Sequence, residues 1–113
     1  MSQNRNKLLD LFIGNLSNAA VHHILEKAID DAMVMKRYNK EFTISFEKAR
    51  NYRKRIHPSH TALSDKDMEY ITNKLIRKVN AELQQRISNH YGNINLELIE
   101  ETVQNLLKDT KVI

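Results

Sequence analysis

A chain of 113 residues that holds only two glycines, Gly14 and Gly92, and one proline, Pro58, has few places for the unusual backbone angles that multi-turn β folds demand. Helices are therefore expected to dominate. An apolar content of 41% beside 28% charged residues is that of a chain that folds, and the length is that of one domain, so residues 1–113 are expected to share a single core. Within it, residues 1–33 read as an N-terminal helical segment and residues 34–113 as the remainder.

The spacing of apolar residues locates the helices. Leu8, Leu9, Leu11, Phe12 and Ile13 crowd a short segment that is expected to end near Gly14. Ser17 or Asn18 then caps a second helix carrying Val21, Ile24, Leu25, Ala28, Ile29 and Met33, unless the two segments form one bent helix. A basic helix over about residues 46–56 stops ahead of Pro58, because the residue before a proline is pushed out of the α region. The clearest helix follows Ser64-Asp65-Lys66-Asp67, where a capping hydroxyl precedes a carboxylate by three residues, and Met68, Ile71, Leu75, Val79, Leu83 and Ile87 recur every three or four. It should close near Asn89-His90-Tyr91-Gly92. Asn95 caps the last helix, with Ile94 and Ile99 as a hydrophobic staple and Leu96, Ile99, Val103 and Leu106 as its apolar stripe. The expected fold is mainly α, a small bundle of four to five helices.

Residues 34–46 read two ways. Val34, Lys36, Phe42, Ile44 and Phe46 fall in stretches of period-two alternation around the turn-friendly Asn39, which fits a short β-hairpin. A polar loop running into a helix from Ser45 fits equally well.

Composition removes several classes of function. No apolar run approaches the ~20 residues that would span a bilayer, and Met1-Ser-Gln-Asn-Arg-Asn6 leads into no signal-peptide core, so a cytoplasmic address without membrane contact is expected. The absence of cysteine excludes disulfides and thiolate chemistry. His22 and His23 diverge on a helix, and His57 and His60 lack a third ligand nearby in sequence, so no metal site is expected. There is no glycine-rich phosphate loop and no nucleophile elbow. The paired acids Asp30-Asp31 and Glu100-Glu101 read as helix surface rather than as dyads. A non-enzymatic role is favoured. Charge is uneven: residues 1–56 carry 11 Lys/Arg against 6 Asp/Glu, and residues 57–113 carry 7 against 8. The basic half is the one suited to phosphate groups.

Within that half, Val34, Lys36, Arg37, Ile44, Glu47 and Lys48 form a Val-x-Lys-Arg strand pattern, a turn, a second strand and an acidic-Lys helix start. With the later helix at residues 94–107, this arrangement resembles an ATP-cone, a nucleotide-sensing regulatory module, over about residues 33–107. The family's usual Asp-Gly turn is Tyr38-Asn39 here. The resemblance implies ATP or dATP held by Lys36, Arg37 and Lys48, brought together by strand pairing, in a domain that regulates rather than catalyses.

A second stretch, Arg50-Asn51-Tyr-Arg-Lys-Arg-Ile-His57, is similar to the Arg-polar-spacer-His motif of HEPN domains, helical bundles that include metal-independent RNases. That resemblance implies Arg50 stabilising phosphate charge and His57 as general acid or base, with RNA approached through Arg50, Arg53, Lys54 and Arg55. The bland reading of the same residues is a cationic last turn that complements the helix dipole. A third reading is a helical interaction module or homodimer that binds no small molecule and meets a partner through Leu8, Leu9, Phe12 and Ile13 or through a face of the long helix.

Overall fold

The computed structural model describes residues 5–28, 31–58, 61–88 and 96–113, with side chains left aside at 87 and 88. Four helices account for most of them: α1 (Arg5–Ala28), α2 (Ala32–Arg55), α3 (Asp65–Ser88) and α4 (Leu98–Asp109). The expected helical bundle is what forms. The hairpin considered for residues 34–46 does not, because α2 runs unbroken through them.

The two expected N-terminal helices are one. Gly14 lies inside α1 rather than at its end, and apolar side chains cover most of the helix circumference. Leu8, Leu9, Phe12, Ile13, Leu16, Val21, Ile24 and Leu25 are all buried. A helix that is apolar nearly all round belongs at the centre of its fold. Indeed, α1 packs against each of the other three helices, α4 also packs on α3, and α2 rests on α1 alone.

Cross-links give the directions. Arg5 on α1 meets Asp67 on α3 at 2.7 Å, and Asp10 further along α1 meets Lys74 further along α3 at 2.6 Å, so these helices run parallel. Between α1 and α2 the order reverses: Glu26 accepts from Asn39 at 3.3 Å while His22 meets Glu41 at 2.8 Å, the antiparallel sense. The core between the helices is filled from α3 by Ile71, Leu75, Val79 and Leu83, and from α4 by Ile99, Val103, Leu106 and Leu107.

Helix ends follow local chemistry. The Asp31 carboxylate accepts from the backbone N–H groups of Met33 (2.9 Å) and Val34 (3.3 Å), capping α2. The Ser64 hydroxyl accepts from the Asp67 N–H at 3.3 Å, as its spacing predicts for α3. At the end of α4, Lys111 takes a left-handed φ of 59°. Its N–H bonds the Lys108 carbonyl and that of Val112 bonds the Leu107 carbonyl, the two closing bonds of a Schellman turn. The expected stop at Asn89-His90-Tyr91-Gly92, the Asn95 cap and the Ile94 staple lie outside the described residues, although α3 ends at Ser88; α4 follows Glu97, which makes no side-chain cap bond.

A Cβ added at Gly14 would meet nothing within 4 Å. Glycine in a helix interior leaves about 0.5–1 kcal/mol of stability unrealised relative to alanine, chiefly through the freedom of the unfolded chain. Gly14→Ala is therefore expected to raise the thermal midpoint by about 3 °C. Calorimetry showing a lower midpoint would contradict the open space beside α1.

Candidate functional site

The apolar residues considered for partner binding are used inside the molecule. Leu8, Leu9, Phe12 and Ile13 are at most 5% exposed, and the apolar stripe of α3 faces the same core. An interface built on those side chains would require the core to open. The surface left for a partner is elsewhere.

That surface is the outward arc of α2. The helix carries eight of the chain's 18 Lys/Arg and two acids, Glu41 and Glu47. Resting on α1 alone, it buries Tyr38, Ala49 and Arg53 and half-buries Val34, Phe42, Phe46 and Tyr52 along the facing stripe. Both acids are engaged. Glu41 meets His22 of α1 at 2.8 Å, and Glu47 meets Arg50 one turn on at 3.5 Å. Lys36, Arg37, Lys40, Lys48, Lys54 and Arg55 are exposed and make no ion pair among the described residues.

Lys36, Arg37 and Lys48, expected to converge through strand pairing, lie instead along one helix. At 100° and 1.5 Å per residue, Arg37 and Lys48 share a flank about 16 Å apart, and Lys36 sits about 120° round the axis from Lys48. The phosphates of a single triphosphate do not span that separation.

Of the residues expected to approach RNA, Arg50, Lys54 and Arg55 are exposed and Arg53 is not. At 3% exposure, Arg53 is an internal clamp: Nη1 donates to the carbonyls of Ile56 (3.0 Å) and Pro58 (2.8 Å), and Nη2 to those of Thr61 and Lys111 (both 2.7 Å). Its Nε–H is buried with no partner among the described residues. Burial and the nearby Arg5 guanidinium both press its pKa below the usual arginine value. This clamp ties the end of α2 to the following loop and to the C-terminal turn. Arg5 reinforces the same end by donating to the His57 carbonyl at 3.0 Å and to both oxygens of Asp67, which holds the Asp67 carboxyl below the usual carboxylate range.

Arg50 lies over the Phe46 ring at 5.9 Å, and Phe46 stacks on Phe42 at 5.6 Å. His57 is exposed beyond the end of the helix. No hydrogen bond joins Arg50 to His57 among the described residues.

Among the described residues, surface clefts adjoin the helices. One of about 480 Å³ runs along α3, lined by Lys66, Glu69, Tyr70, Asn73, Lys74 and Arg77. Its Lys74 ammonium is already held by Asp10 and by the Tyr70 hydroxyl, bonds that raise the lysine pKa and lower that of the aspartate. Another, about 350 Å³, is walled by His23 of α1, Phe42 of α2, and Lys108 and Asp109 of α4. Burial, followed by the charge of Lys27, lowers the His23 pKa and favours its neutral form. The third, about 430 Å³, lies between α1 and α2 and is lined by Asn15, Lys48, Asn51, Tyr52 and Arg55.

Among the described residues no group of three or more His, Asp or Glu is placed to hold a metal ion, and no helix is long and apolar enough to cross a membrane. Asp31 is a helix cap rather than half of an acidic dyad; Asp30 lies outside the described residues. Comparison with protein-family models, curated proteins and solved structures finds no match to this chain.

Proposed function

We propose that this protein is a non-catalytic binding module whose working surface is the outer arc of α2 and whose partner is a nucleic acid held through its phosphates. The observation that carries this reading is the set of exposed, uncompensated cations strung along a helix about 36 Å long. A phosphate polymer fits their spacing because it carries a charge every few ångströms, and each cation that meets a phosphate releases a condensed counterion. The exposed carboxamide of Asn51 on the same helix has donors that suit phosphate and sugar oxygens. A second copy of the chain is a poor occupant of the same surface. Symmetric pairing through α2 would set like charge against like.

Fluorescence anisotropy with labelled single-stranded RNA, duplex RNA and duplex DNA tests the reading, with polyglutamate as a non-nucleic polyanion. The expected result is nucleic-acid binding that weakens steeply with salt, with the oligonucleotide recovered uncut. In the variant Lys36→Ala/Arg37→Ala/Lys48→Ala/Arg55→Ala, the slope of log affinity against log salt on single strands should flatten by about 3, or about 0.7 per lost contact. An unchanged slope, or equal binding to polyglutamate, would overturn the proposal. Cleavage of the RNA would overturn the non-catalytic part of it and return attention to Arg50 and His57.

A further inference from the structure

Of the clefts described above, the one between α1 and α2 differs in its chemistry. The α3 cleft contains Glu69 and a lysine already neutralised by Asp10. The cleft beside α4 contains Asp109 opposite Lys108 and a histidine disposed to stay neutral. The α1–α2 cleft is lined by no carboxylate, and its two cations, Lys48 and Arg55, make no ion pair among the described residues.

Its layout on α2 is ordered. Lys48, Asn51, Tyr52 and Arg55 stand at i, i+3, i+4 and i+7 and so share one flank. Along the axis the Asn51 carboxamide falls about 4.5 Å beyond Lys48 and about 6 Å short of Arg55, between two cations about 10 Å apart. The Arg55 guanidinium lies 5.7 Å from the centre of the half-buried Tyr52 ring, which braces it as a flat cationic plate. Across the cleft, Asn15 of α1 donates its Nδ2 to the Leu11 carbonyl at 2.8 Å. That bond fixes the amide and leaves its Oδ1, which has no partner among the described residues, as an acceptor.

Cation, carboxamide and cation in that order match one step of a single-stranded nucleic acid. Two successive phosphates flank a sugar and a base whose edge offers donors and acceptors, and a base also stacks on a guanidinium plane. The cleft is an open groove of about 430 Å³, with room for one nucleotide laid along the helix surface. We infer that this cleft takes one nucleotide of a single strand, with the flanking phosphates on Lys48 and Arg55 and the base edge on Asn51 and Asn15. The inference rests on the nucleic-acid reading of α2 and adds to it a place where base identity is sensed.

The test compares the parent with Asn51→Ala and Asn15→Ala, which leave every charge in place, on 12-nucleotide oligo(U), oligo(C) and oligo(A) RNA at fixed salt. Thermal melts confirm that each variant is folded. The parent is expected to prefer one base. Each amide variant should weaken the preferred oligomer by about two- to tenfold, the range for one lost hydrogen bond, and narrow the difference between oligomers. Its salt slope should stay that of the parent. Amide variants that bind all three oligomers as the parent does, or a parent indifferent to base, would overturn the cleft while leaving backbone binding intact. A parent that binds no oligonucleotide would overturn the functional reading, and the cleft with it.

Discussion

Arg53→Met is expected to destabilise the protein by about 4 kcal/mol, a fall of roughly 15 °C in the thermal midpoint. Arg53 is 3% exposed, and its guanidinium supplies hydrogen bonds to four carbonyls, three on the stretch that follows α2 and one on the C-terminal turn. Methionine fills much of the volume of the aliphatic stem but donates nothing, so the carbonyls of Ile56, Pro58, Thr61 and Lys111 lose charge-assisted partners together. Each buried acceptor left without a partner costs about 1–3 kcal/mol, and partial hydration of the loop reduces the sum. Arg53→Lys keeps the charge, yet an ammonium has three donors and no planar fork, so it should recover only part of the loss. Urea unfolding measures both. A methionine variant within about 1 kcal/mol of the parent would show that the clamp contributes little. Because Arg53 is withdrawn from the surface, Arg53→Lys should also bind nucleic acid with the parent's salt slope.

Phe12→Ala should have a comparable effect, about 4 kcal/mol, for a different reason. Phe12 is wholly buried on the one helix that packs against all the others, so the void left by its ring borders the common core. Truncation of a buried aromatic to alanine typically costs 3–5 kcal/mol, the sum of lost transfer energy and an unfilled cavity. Phe12→Leu, which refills most of the space, should lose less than half as much. Chemical denaturation of the pair checks both values. Equal stabilities for the alanine and leucine variants would mean that the core closes over the space without penalty.

The parts of the fold legible in the sequence are those where one helical face is buried and the other wet. Helix α3 is the clearest: Ile71, Leu75, Val79 and Leu83 repeat at helical spacing, and Ser64 marks its start. Helix α1 was legible in content and not in extent. Gly14 reads as a terminator because glycine so often ends helices, whereas here it sits in the helix interior between the buried Ile13 and Leu16.

The misleading segment was residues 34–46. In a helix Phe42 and Phe46 fall one above the other against α1, while Ile44 between them turns outward, 47% exposed. Three apolar residues at alternate positions thereby imitate a strand although only two of them face the core. Over a longer stretch helix and strand differ, since Tyr38, Phe42, Ser45, Ala49, Tyr52 and Ile56 continue the facing stripe at intervals of four and three. The same register sets Arg53 beside Tyr52 on the inner side. In sequence it is one cation in a run of three, and nothing local distinguishes the buried guanidinium from Lys54 and Arg55.

Because α1 is the one helix that α2 packs against, the two ends of the proposed binding surface are kept in order differently. The N-terminal half of α2 is held to α1 by the buried Tyr38, the Glu41–His22 pair and the Asn39–Glu26 bond, while the Arg53 clamp acts at the far end. Lifting that half away would leave the contacts of α1 with α3 and α4, and the clamp itself, in place. It is therefore a local opening with a free energy below that of global unfolding. The cations at Lys36, Arg37 and Lys40 ride on this half, so a partner bound to them would favour the closed helix, and apparent affinity would scale with the fraction of time the helix is closed.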